Sequence, residues 1–166
     1  MANITYLLCS LPSLSFAQHP PITMDDFLSD AKAQLATGRF QKLESLNFRE
    51  VDTFNKDLKG FKDIMFQYRE DVKEIRKAKA EKRSPNLMVL PNEVVSKDPL
   101  VCEKAIMKWQ WDELSSLEVG EHFTFTELLV YKLKLQMLSR LESFQAEKGR
   151  QVLQAIVNPK MKEDNS

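Results

Sequence analysis

Between Phe123 and Gly149 runs "FTFTELLVYKLKLQMLSRLESFQAEKG", a stretch too apolar to be a one-sided surface helix and too interrupted by charge to be a plain core segment. At about 100° per residue, Leu128, Tyr131, Leu135 and Leu138 fall on one side of a helix. Val130, Leu133, Met137, Leu141 and Phe144 fall roughly opposite, and Lys132, Gln136 and Arg140 occupy a narrow wedge between the two. A helix that is apolar on two sides has to be covered on two sides. It therefore sits centrally in a bundle, or between a bundle and a partner protein, and the pattern leaves both open. Thr124 and Glu127 make a capping-box pair at its start and Pro159 ends it, which predicts a helix over 125–157.

The rest of the chain reads the same way. Four glycines in 166 residues are too few to punctuate many short strands, so the expected fold class is all-α: a helical bundle with long antiparallel helices and a Pro-rich connector. A hydrophobic fraction of 43% supports one core, hence a single domain over 1–166. Its parts are N-terminal helices to about 83, a connector over about 84–98 and a C-terminal helical hairpin over about 99–158. Thr23 caps a helix with Phe27, Leu28, Ala31 and Leu35 inward, predicted to stop at Gly38, with a short helix over 39–47 to follow. From Phe54, the positions Leu58, Phe61, Met65, Tyr68, Val72 and Ile75 trace one seam of a long helix running to about Arg83. Pro85, Pro91 and Pro99 mark the connector. Asp98 before Pro99 starts a helix to about Leu117, with Ile106, Trp109 and Leu114 among its inward residues. Residues 3–11 are compatible with helix or strand.

Charge excludes more than it suggests. Lys plus Arg and Asp plus Glu both number 24, so nothing global points to nucleic acid or to an anionic membrane surface. Cys9 and Cys102 are too few for a disulfide framework, and a reducing, cytoplasmic setting fits. The opening "ITYLLCSLPSLSFAQ" has an apolar run, but no Lys or Arg precedes it and Pro12 interrupts it, which argues against a signal peptide. Neither His19 nor His122 has a second ligand at metal-binding spacing, and there is no Gly-rich phosphate loop or GxSxG elbow. No catalytic residue, cofactor or metal is expected, and an enzyme is not.

Local charge carries more. Asp112, Glu113, Glu118, Glu121 and Glu127 follow one another with no Lys or Arg between, and "RKAKAEKR" at 76–83 is basic. These can be two solvated helix ends or two docking patches of opposite sign. Trp109 and Trp111 cannot share one helix face, so one is core and the other exposed or interfacial. The candidate partner-binding residues are Glu113, Glu118, Glu121, Trp111, Arg76, Lys77 and Arg83.

Two blocks resemble a known family. "ITYLLCSLPSLSFAQHPPITMDDFL" is similar to the opening of an uncharacterised bacterial family, and "WQWDELSSLEVGEHFTFTELLVYKLKLQMLSRLESFQAEKGRQVL" to its C-terminal signature: a Trp-led helix, a turn, Tyr-x-Leu-Lys-Leu-Gln, a Leu-x-Arg step and a Glu-x-Gly. Leu141-Glu142 after Arg140, where members often carry an aromatic, and Gln145 in place of a frequent acid depart from that pattern. Members are typically encoded beside subunits of bacterial V-type ATP synthases. They look like shortened relatives of the all-helical funnel component that seats the central stalk of those enzymes on the membrane rotor ring. The resemblance implies a non-catalytic subunit or assembly partner of a V-type ATPase, a funnel-like helical adaptor between central stalk and membrane rotor ring. Its partners would be stalk and rotor subunits, and it would be cytoplasmic and peripheral at the inner membrane only through them. The reading from charge alone is a free-standing helical protein-binding or regulatory module whose basic 76–83 end meets an acidic partner.

Overall fold

The computed structural model describes residues 3–54, 56–95 and 98–157, apart from the side chains of residues 148 and 152. Among the described residues there are six α-helices and no strand. They are α1 (Ile4–Ser10), α2 (Met24–Gln34), α3 (Thr37–Ser45), α4 (Lys59–Ala80), α5 (Pro99–Glu118) and α6 (Phe125–Val157), with two 3-10 turns between α3 and α4 and one in the connector. The chain is all-α. Residues 4–10 are helix rather than strand, with Asn3 accepting the Tyr6 N–H as N-cap and Leu7 buried.

The caps form where the sequence places them. Thr23 accepts the Asp26 N–H, and Asp98 accepts the Leu100 N–H ahead of Pro99 at the first turn of α5. At α6, Thr124 Oγ1 accepts the Glu127 N–H at 3.3 Å while the Glu127 carboxylate reaches back to the Phe123 N–H at 2.6 Å. Gly120, at φ 82°, supplies the left-handed turn between α5 and α6.

Two boundaries differ from expectation. The α2 helix ends at Gln34, not Gly38: Leu35 turns extended, and Gly38 sits in the first turn of α3. Buried Leu35 and Leu43 face the core from opposite sides of this break, so packing rather than glycine sets the stop. The α4 helix starts at Lys59, because Val51–Thr53 and Lys56–Leu58 form two 3-10 turns that bury Val51 and Leu58 while Phe54 stacks on Phe61; it ends at Ala80, short of Arg83.

Helix α6 runs through the middle of this arrangement. Leu128, Leu129, Val130, Leu133, Leu135, Met137, Leu138 and Leu141 are all 3% exposed or less, so both apolar sides are covered within the chain. Each such side chain contributes about 1.5–3 kcal/mol of transfer free energy. One cover is α5: Glu103 near its start pairs with Arg140, and Glu118 at its end pairs with Lys134. The other is the α1–α3 layer with Phe27 and Leu43. The polar wedge is what distinguishes the two covers. Lys132 Nζ donates to the carbonyls of Leu43, Glu44 and Leu46 at 2.7, 2.8 and 2.7 Å, closing the C-terminal end of α3. Gln136 accepts the Phe48 N–H at 2.9 Å, one turn further along. The Tyr131 hydroxyl donates to the Pro12 carbonyl at 2.7 Å, and burial pushes its pKa up to about 12. Beyond Phe144 the cover ends: Leu153, Ile156 and Val157 are 59, 68 and 66% exposed.

Candidate functional site

The second half of α4 has two faces. Asp71 and Ala78, seven residues apart, are buried at 1% exposure each, and Asp71 lies under the connector. The Asp71 carboxylate accepts the backbone N–H groups of Met88, Val89 and Leu90 at 2.8, 2.8 and 2.9 Å. Burial works against its charge, but the three N–H donors outweigh it and hold the carboxyl below its usual range. A chain segment with three prolines cannot pair its own backbone in a helix, and one carboxylate supplies the missing acceptors.

The other face of α4 is open. Tyr68, Val72 and Ile75 continue the seam that is buried at Phe54, Leu58, Phe61 and Met65, yet they are only half-covered. They line a cavity of about 1190 Å³ together with Cys102, Ile106 and Met107 of α5, Phe48 and Val51 from before α4, and Pro85, Val95 and Pro99 from after it. Tyr68 stacks on Trp109 at 6.1 Å between ring centroids. Burial, then the Glu103 carboxylate, push the Tyr68 hydroxyl pKa up.

The rim of this groove is basic. Arg49, Arg69, Arg76, Lys79, Arg83 and Arg140 line it against a single acid, Glu103. Two of the six are committed within the fold: Arg140 to Glu103, and Arg83 to Glu74 at 2.5 Å and Glu81 at 2.6 Å. Among the described residues, Arg49, Arg69, Arg76 and Lys79 have no carboxylate partner.

Comparison with known protein families, curated proteins and solved structures finds no match. What the site can do thus has to be argued from its own geometry. Among the described residues no three His, Cys, Asp or Glu side chains gather as a metal site, and no helix is long and apolar enough to cross a membrane. The groove instead combines an apolar floor with a rim of one sign, a combination that recognises an amphipathic surface of opposite sign.

The candidate residues from the sequence separate into groups. Arg76 and Arg83 meet at the groove, while exposed Lys77, one position on, does not line it. Glu113 is half-exposed on α5, and Glu121 accepts the Thr124 hydroxyl in the turn that follows. Glu118 is engaged within the fold, 3.2 Å from buried Lys134. One expectation needs correction. Trp111 is core, not interface: it is 7% exposed, with Lys134 Nζ 4.9 Å from its ring and Phe16 edge-on at 5.6 Å. Trp109 is the half-exposed tryptophan, the reverse of the expected assignment. The pair sits two apart on α5, and which face α6 takes is decided by Lys134, which no spacing rule on α5 reveals. Sequence reasoning also missed Asp71 and the groove; the unbroken seam through Ile75 was the available signal, because it called for a full cover that the described residues do not supply.

Proposed function

We propose that this chain is a non-catalytic helical adaptor, working through surfaces at separate places on a stiff helical body, and that the assembly it serves is a bacterial V-type ATPase. The observation that carries the adaptor reading is the division of α5. Its first half, Pro99 to Gln110, borders the basic-rimmed groove, and its second half begins the acidic run from Asp112 to Glu127. At 1.5 Å per residue this 20-residue helix is about 30 Å long, so two neighbours of opposite charge can be engaged at once. Stiffness supports the same reading, since α6 buries both of its apolar sides between Leu128 and Leu141. The choice of a V-type ATPase, seating the central stalk on the rotor ring, rests on the similarity of the two terminal sequence blocks to that family.

The second reading, a free-standing helical binding module, is favoured by the groove itself, which needs only one acidic partner. Pull-down from a bacterial extract containing an assembled V-type ATPase separates the two: recovery of stalk or rotor subunits supports the adaptor, and their absence from the eluate removes the ATPase and leaves the module.

A further inference from the structure

We infer that the groove between α4 and α5 takes an acidic amphipathic helix of a partner protein. This builds on the adaptor reading and names what one of its two ends binds. Three observations converge on that occupant.

The first is periodicity. Tyr68, Val72 and Ile75 are spaced four and three apart, continuing the seam that Phe61 and Met65 bury, and this spacing is what a packed helix fills with side chains at the matching i, i+3, i+4 and i+7 positions. The second is size. At about 1190 Å³ the groove exceeds the roughly 300–1,000 Å³ of small-molecule pockets. Along α4 it runs from Met65 to Lys79, about 21 Å at 1.5 Å per residue, which is the length of a helix of about four turns. The third is charge. Arg49, Arg69, Arg76 and Lys79 line the groove without carboxylate partners among the described residues, and flanking acids on an entering helix would supply them. The exposed last turns of α6 do not match as an occupant from a second copy, because Arg150 balances Glu147 there.

The test uses the full chain and a fluorescently labelled 18-residue helical peptide, with leucines at the seam spacing and glutamates on its flanks. A second peptide has the same leucines and lysine in place of every glutamate, and vesicles of phosphatidylglycerol serve as a third probe. Anisotropy titration is expected to show saturable binding of the acidic peptide at least ten-fold tighter than of the basic one. R69E/R76E/K79E should reverse that preference, since all three side chains are exposed and the change leaves the core untouched. A second variant, V72R, should abolish binding of both peptides by filling the floor with charge; circular dichroism would confirm that it is folded. Equal affinity for the two peptides, acidic-peptide binding unmoved by the triple reversal, or no saturation by the acidic peptide would overturn the assignment. So would vesicle binding that the acidic peptide fails to compete away, which would make the rim a lipid-headgroup site. Retention by the triple-reversal chain of every ATPase subunit that the wild type recovers would sink the groove assignment and spare the adaptor reading. Peptide binding without recovery of those subunits would do the opposite.

Discussion

Lys132 shows how one polar residue can order a core. Its Nζ is the donor for three carbonyls at the end of α3, in a side chain that is 3% exposed, and burial pushes its pKa down to about 8, so the ammonium still carries its proton at neutral pH. Lys132→Met keeps the stem and removes the donor, leaving Leu43, Glu44 and Leu46 carbonyls to find water or go unpaired. A loss of about 1–3 kcal/mol is expected, read as a lower urea midpoint with an unchanged slope. Asp71 does the converse job, one acceptor for three donors. Because its folded-state pKa lies below the ordinary value of 3.8, the stability it contributes is complete above that value and is lost as pH falls through the folded pKa. Asp71→Asn should therefore cost about 1.5–3 kcal/mol near pH 7, and the difference from wild type should shrink at about pH 3. A constant difference across that range in urea titrations would show that the carboxylate charge is not what holds the connector. Neither residue could have been assigned from the sequence. Lys132 was visible as an oddity, a cation inside an apolar pattern, but its acceptors are backbone carbonyls with no letter of their own. Asp71 looks like any surface acid of an amphipathic helix, and its donors lie 17 to 19 residues away in a proline-rich segment.

Helices were legible where local chemistry and packing agree. The α5 and α6 spans follow from Asp98-Pro99, from Thr124 with Glu127 and from the apolar period, since caps and pattern point to the same boundaries. At Gly38 and Phe54 they disagree: the glycine does not stop a helix, and the seam residue Phe54 is the extended cap of a 3-10 turn, because both segments bend to follow the surface of α6. The same comparison divides α6 itself. Up to Phe144 it is core, whereas after Gln145 every described side chain is exposed. Ending the chain after Ala146 should thus leave the thermal midpoint within about 3 °C of wild type, because few buried contacts are removed. Leu133→Ala, at full burial, should cost about 2–5 kcal/mol. A truncated chain as damaged as the Leu133 variant would mean that Leu153, Ile156 and Val157 are covered in solution, for which a second copy or another part of the chain would have to be sought by sedimentation.

At the scale of the whole molecule, the fold turns two local charge runs into a polarity. The basic run at 76–83 ends α4 beside Pro99, at the start of α5, while the acidic run occupies the far half of α5 and the turn into α6. The acidic residues are not equivalent, and that difference supplies the control. Glu118 balances Lys134 over the Trp111 ring, so Glu118→Lys sets two ammonium groups against each other in a half-buried site and should lower stability whatever the protein binds. Among the described residues Glu113 and Glu121 have no such cation, and reversing both to Lys should move stability by no more than about 0.5 kcal/mol each. If the acidic end meets a stalk or rotor component, that double reversal should weaken its recovery strongly at low salt and much less at high salt, since exposed charges are screened over about 8 Å at physiological ionic strength. The groove variant with Arg69, Arg76 and Lys79 reversed should spare that neighbour and lose the other one. Recovery unaffected by the double reversal at every salt concentration would take the acidic end out of the interface and leave the groove as the one docking surface of a single-partner module.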